Sequence, residues 1–386
     1  MHRQPLLRRA LVVGASATIA LLALAACTTP EPAETTPAAG GTDSSALLAE
    51  AYAGNFQAPP TEPVEVTEDI SLWHVSCGEA IVTCSAPAAA AVEAATAIGW
   101  EANICDGKLN PEGWGTCIRQ GIAAGADVIT LIGVDCAPIA GPLSEAADAG
   151  IPTIGVGAND CDVIGGDPLF TAVTTSLPDT AYEEWWKNVG ATQAKWLVGV
   201  NDGAAQALQI VFPDPAFGPV MAAGFEEEIA KHEDSSIVAT LEITNADVGS
   251  GALVQKFSTA LLQNPDINAI AIPIDGWLLA GVAQAIEASG RSEQLAVIGA
   301  FGSIPNFGLI AEGTGADATV AWPTDWDGYA AVDASLRVLA GQDVLPTGLG
   351  VQAVDADNNL PAPGTPFSFE PVVDFRAAYL AAWGVD

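Results

Sequence analysis

Positive charge is scarce: 12 Lys and Arg stand against 47 Asp and Glu in 386 residues, a formal charge of −35. Arg3, Arg8 and Arg9 account for three of the cations, so the chain beyond residue 26 holds 9 cations and 47 acids. Such a surface repels a phosphate backbone and excludes nucleic acid as a partner. Histidine is nearly as rare, at three residues, and no C-x-x-C pair occurs; the closest cysteines, Cys77 and Cys84, have six residues between them. Neither a metal nor any other cofactor is expected from that pattern. The sequence also lacks a G-x-S-x-G nucleophile elbow. His74 and His232 have no evident Ser or Cys partner, and His74 reads as a core residue rather than a base, so the chain is not read as an enzyme. Beyond residues 10–26 there is no run long and apolar enough to span a bilayer.

Half the residues are apolar and the mean hydropathy is +0.33, enough for a large core. At about 100–200 residues per domain the length suits two lobes. The basic start and the apolar run Ala10 to Ala26 read as a signal peptide over residues 1–26. Leu24-Ala25-Ala26-Cys27 matches the bacterial lipobox. Resemblance to bacterial lipoproteins implies lipid on Cys27 and a body outside the cytoplasm, anchored to the outer face of the cell membrane. Residues 27–67 are expected to be a flexible tether and lead-in, because Thr28 to Ser45 is rich in Thr, Pro, Ala, Glu and Gly. Six further cysteines, an even number outside the cytoplasm, imply disulfides, with 15 connectivities open. Local pairing of Cys77 with Cys84, Cys105 with Cys117 and Cys136 with Cys161 is the simplest geometry.

From residue 68 short apolar runs alternate with Ala-rich helical stretches. Strands are expected at 70–76, 100–105, 127–134 and 151–156, with helices at 85–99, 114–124 and 139–149 between them. A second series has strands at 207–212, 237–242, 267–273, 295–300 and 317–322, with helices at 220–232, 252–263 and 277–289. A strand at 169–174 and a long helix at 180–200 separate the two series. This is an α/β chain of two doubly wound parallel-sheet lobes. Each such sheet puts its ligand crevice at the carboxyl ends of its strands, so two facing edges make a cleft that can close on a small molecule.

The run Asp127 to Asp135 and the segment Ala146-Ala147-Asp148-Ala149-Gly150-Ile151-Pro152-Thr153-Ile154 resemble the signature of type I periplasmic binding proteins of the sugar-binding kind. Gly224-Phe225, Pro265 to Ile270 and Gly281 to Gly290 agree with it in the second lobe. The resemblance implies a substrate-binding lipoprotein of an ABC importer, monomeric, with permease subunits as partners. It implies a hinge of three crossings near residues 173–176, 322–325 and 347–352. The N-terminal lobe would be 68–173 plus 323–349, and the C-terminal lobe 174–322 plus 350–386. Repressors share this fold but begin with a helix-turn-helix, where this chain has a lipobox.

By the same resemblance, Asp135 would accept hydrogen bonds from ligand hydroxyls, with capping of the following helix as its competing role. Asn159 and Asp160 would lie at the cleft edge, and Asp275 would face the ligand from lobe two. The chain departs from the sugar-binding pattern at four places. Phe217 stands in a loop where relatives commonly have Arg, Phe301 where Asp is common, and Trp322 where a polar amide is common; Trp277 adds a ring beside Asp275. Core packing is the competing role of each ring. No cation lies in these segments, which disfavours an anionic ligand. A sugar or cyclic polyol stacked on a ring is expected, then an aromatic or heterocyclic compound, then a cation. A ligand-sensing lipoprotein is the alternative to a transport receptor.

Overall fold

The computed structural model describes residues 42–363 and 373–385. The signal peptide, Cys27 and residues 28–41 of the expected tether lie outside the described residues. The rest of that stretch is not a tether. Asp43 Oδ1 accepts from the Ala46 amide at 3.1 Å and opens helix α1, Ser44–Ala53. Ala51 is buried, Leu47, Leu48 and Tyr52 pack against the core, and Glu50 pairs with Lys195 at 2.6 Å. The apolar spacing of this segment outweighs the Pro- and Thr-rich composition before it.

Lobe one alternates β1 (Ser71–Ser76), α2 (Val82–Ala97), β2 (Glu101–Asp106), α3 (Pro111–Ala124), β3 (Val128–Ile132), α4 (Ala140–Asp148), β4 (Thr153–Val156) and β5 (Ala172–Val173). The strands pair in parallel in the order β2-β1-β3-β4-β5. Strands β3 and β4 are buried at every residue, as strands covered by helices on both faces must be. Helix α3 stops at Gly125, as expected, in the left-handed conformation; Asn110 caps its start and Pro111 follows. Helix α2 begins at Val82, ahead of the expected Ser85, with no side-chain cap and Pro87 in its interior. All three disulfides form with the local pairing and staple loops at the strands' carboxyl ends.

Helix α5 (Tyr182–Val200) leads into lobe two: β6 (Gln206–Val211), α6 (Phe217–Ile229), β7 (Ser236–Glu242), α7 (Asn245–Ser250), α8 (Ala252–Gln263), β8 (Ala269–Ala271), α9 (Asp275–Trp277), α10 (Ala283–Ala288), β9 (Ala296–Phe301), α11 (Ile304–Glu312) and β10 (Ala318–Ala321). Helix α12 (Thr324–Leu339) then returns to pack on α2, β3 and β4, and β11 (Gln352–Asp355) closes the second sheet antiparallel to β10. The order there is β11-β10-β9-β8-β6-β7. The chain thus passes between the sheets after β5, after β10 and after α12. The first and third passages lie side by side: the Thr347 and Gly348 amides donate to the Thr175 and Ser176 carbonyls at 2.9 and 2.7 Å. The lead-in joins them through Gln57 N–H on the Gly348 carbonyl at 2.9 Å.

The tail departs from its expected place with lobe two. Helix α13 (Phe375–Ala382) packs on α12, where Phe375 stacks on Trp326 at 4.8 Å and Trp383 Nε1 donates to Asp333 Oδ1 at 3.0 Å. Asp333 also holds the buried Arg337 at 2.7 Å, and Arg337 donates to the Glu62 carbonyl at 2.9 Å. The lead-in at Glu62 and the C-terminal helix α13 therefore both hold α12. No helix among the described residues is long and apolar enough to cross a membrane.

Candidate functional site

The strand ends converge as parallel sheets require. Asp135 follows β3 and is half-buried; its Oδ1 accepts from the Asn159 amide, after β4, at 2.8 Å. Burial raises the Asp135 carboxyl above its usual range against the lowering pull of the Asn159 bonds. It caps no helix. Tyr182, in the first turn of α5, reaches this pair from the other side of the first crossing. Its hydroxyl lies in the field of Asp135, and burial together with that charge holds the phenol protonated. Glu184 Oε2 accepts from the Ala181 amide at 3.1 Å and fixes the start of this helix.

One turn on, Trp186 collects the rings. It stacks on Phe217 with centroids 4.3 Å apart and planes at 19°. It meets Trp322 edge to face at 5.6 Å and Phe301 at 5.8 Å. Phe301 and Trp322 lie 4.6 Å apart, and Trp185 closes the group on Trp322 at 5.1 Å while its Nε1 donates to the Leu349 carbonyl of the third crossing at 2.9 Å. Tyr182 links ring cluster and polar pair, 6.2 Å from Trp186. Phe217, Phe301 and Tyr182 stay half-buried, whereas Trp186 and Trp322 are buried. Phe301 has φ +91°, an outlier for a bulky side chain that costs about 1–3 kcal/mol.

Five expected residues thus come together: Asp135, Asn159, Phe217, Phe301 and Trp322. Three do not. Asp160 Oδ1 accepts from the amides of Cys161, Leu169 and Phe170 at 2.7, 2.9 and 3.3 Å, which spends it on its own loop. It also lies near the sulfurs of Cys136 and Cys161, but those are joined to each other and offer no thiolate. Trp277 sits in the core of lobe two against Phe212, 5.0 Å away. Asp275 is 1% exposed and bonded to Ser303 and Thr319, turned inward from the cleft. Tyr182, Trp185 and Trp186 escaped the sequence reading, although an aromatic triplet at i, i+3 and i+4 just after a crossing is a visible signal. His74 is a core residue: it is fully buried, with Nδ1 2.9 Å from Thr130 Oγ1.

Eight of the nine cations among the described residues are engaged elsewhere. Arg119, Lys187, Lys195, Lys231, Lys256, Arg337 and Arg376 contact carboxylates, and Arg291 donates to three backbone carbonyls. Lys108 follows the edge strand β2, beside a separate surface groove of about 510 Å³ shared with Asp106, Asn110 and Glu112. The ring cluster contains no cation of its own.

The chain matches the family described as "Periplasmic binding protein domain" over residues 84–343. No curated protein sequence matches it. It is similar to a solved ABC transporter solute-binding protein from Agrobacterium vitis bound with α-D-tagatopyranose, at 20% identity and a TM-score of 0.64, covering 78% of this chain and 100% of that one. A solute-binding protein from Actinobacillus succinogenes 130z with bound D-allose is similar at 19% identity and 0.63, covering 75% and 98%. A Mycobacterium smegmatis protein in complex with β-D-fucofuranose is similar at 19% and 0.60, covering 75% and 92%. Family members of this kind bind solutes rather than transform them. Two parallel sheets, three passages between them and a family match over most of the length lead to one conclusion: this chain belongs to the periplasmic binding protein family and has its type I fold.

Proposed function

We propose that this protein is an extracytoplasmic lipoprotein that captures a small neutral ligand, a sugar or cyclic polyol, between its lobes and delivers it to an ABC importer. One observation carries the reading: Tyr182, 6.2 Å from Trp186 of the ring wall formed with Phe217, Phe301 and Trp322, stands in the field of Asp135, whose carboxylate is paired with Asn159. A ring-shaped ligand with one apolar face stacks on the wall and turns its hydroxyls to the pair. The half-buried carboxylate of Asp135 accepts from such hydroxyls and opposes an anion. The similar structures with bound tagatose, allose and fucofuranose support a sugar. An aromatic, heterocyclic or cationic compound fits the same rings less fully, because it leaves Asn159 or Tyr182 without a hydroxyl partner.

A thermal-shift screen across neutral sugars, polyols, nucleosides and aromatic acids tests the ligand class. A sugar present at about 100 times its dissociation constant stabilises the fold by ~2.7 kcal/mol. A response confined to aromatic or cationic compounds rejects the sugar. The anchor has its own test: Cys27→Ala moves the protein from the membrane fraction to the soluble one, and unchanged membrane retention rejects lipidation. Loss of ligand import on deletion of the gene for this protein would favour transport over sensing; import unchanged by that deletion would favour sensing.

A further inference from the structure

Asp275 is enclosed at the cleft end of lobe two, and its carboxylate is spent on one turn. Oδ2 accepts from the Ser303 amide at 2.9 Å and from its hydroxyl at 3.4 Å, and Oδ1 accepts from the Thr319 hydroxyl on β10 at 3.0 Å. Gly299 makes the space, since a Cβ there would stand 2.1 Å from Oδ1. The turn so fastened holds Phe301 at φ +91° and Gly302 at φ +70°. It lies flat on β10: a Cβ on Gly302 would stand 2.4 Å from the Ala321 Cβ. A bulky residue keeps such a backbone only where its surroundings over-determine it.

We propose that Asp275 is a positioning residue, whose carboxylate pins the Ser303 amide to the Thr319 hydroxyl of β10 and thereby holds the Phe301 ring in the interlobe cluster. The consequence for affinity rests on the sugar-binding reading; the holding of the ring does not. Burial raises the Asp275 carboxyl to about 7. Asparagine keeps an acceptor for the Ser303 amide and can donate to Thr319 Oγ1, so D275N preserves the turn where D275A releases it.

The test compares D275A, D275N, T319V and F301A without ligand, by near-UV circular dichroism and by amide hydrogen exchange at Ser303. D275A is expected to lose the ring signal and to speed exchange at that amide by about tenfold or more, with D275N close to wild type. F301A is expected to lose the same ring signal, and D275A added to it to change that signal no further. If D275A does not fold, T319V decides, because it removes one anchor of the carboxylate: faster exchange at the Ser303 amide supports the proposal and unchanged exchange overturns it. A folded D275A with intact ring signal and protection, and only a lower melting temperature, also overturns it. D-tagatose is the binding probe. If no sugar stabilises wild type, the sugar reading fails, and the ring and exchange results still decide the role of Asp275.

Discussion

His74 and Asp275 are both fully buried, and burial moves their protons in opposite directions. The imidazole falls from 6.5 to about 4 and the carboxyl rises from 3.8 to about 7. Between pH 6.5 and 4 the unfolded chain holds the extra histidine proton, so acidification costs stability at His74. Between pH 7 and 3.8 the folded chain holds the extra proton on Asp275, so acidification adds stability there. In wild type the two trends offset each other. H74Q is therefore expected to gain stability relative to wild type as pH falls through this window, and D275N to lose it, each by at most ~1.4 kcal/mol per pH unit. Urea titrations at several pH values check both signs. The rings give a second residue-scale expectation: Trp322→Ala and Trp186→Ala weaken sugar binding by about 1–3 kcal/mol, by analogy with stacking on planar bases. Calorimetric affinity read beside the melting temperature separates this from core packing, which predicts lost stability with affinity intact.

Elements were legible in the sequence where local signals mark their ends. Helices α3 and α8 and strands β1, β6 and β9 start or stop within a few residues of their expected ends, because caps and apolar runs mark them locally. Helix α12 was not read at all, although Asp325 and Asp327 open it and Arg337 closes it with the charges a helix dipole favours. It is buried on nearly every side between α2 and α13, so it has no one-sided stripe. At the site, strand-end position placed Asp135, Asn159, Phe217, Phe301 and Trp322 at the cleft ends of the sheets, but it could not tell which way a side chain turns. Asp275 and Trp277 turn inward because Thr319, Ser303 and Phe212 wait there, partners set by tertiary packing alone. The disulfides belong to this scale too. All three staple lobe one, across sequence separations of 7, 12 and 25. By the loop-entropy relation, replacing Cys136 and Cys161 with Ser costs about 3.5 kcal/mol and replacing Cys77 and Cys84 about 2.4 kcal/mol. Denaturation midpoints of the two double variants check that order.

At the scale of the whole molecule, the charge and the fold act together. A chain with 9 cations beyond its first 26 residues commits eight of them to carboxylates or carbonyls away from the ring cluster. The candidate cleft is left with ring faces, one carboxylate, one amide and one phenol. One lobe brings the polar pair on stapled loops, the other brings the wall, and α5 carries Tyr182 and Trp186 to both. Lobe closure on a neutral ring would bury apolar area without stranding a cation or needing one. An anion would meet Asp135 with no charge partner beside it. Tryptophan emission reports this directly, since Trp185, Trp186 and Trp322 stand in the cluster. The measurement is a fluorescence titration of wild type with D-tagatose, D-allose and D-fructose, set against D-gluconate and glucose 6-phosphate at equal concentration. A saturable shift with a neutral sugar, lost in Phe301→Ala, and no shift with either anion is the predicted result; saturable binding of an anion, with the neutral sugars silent, would contradict the account.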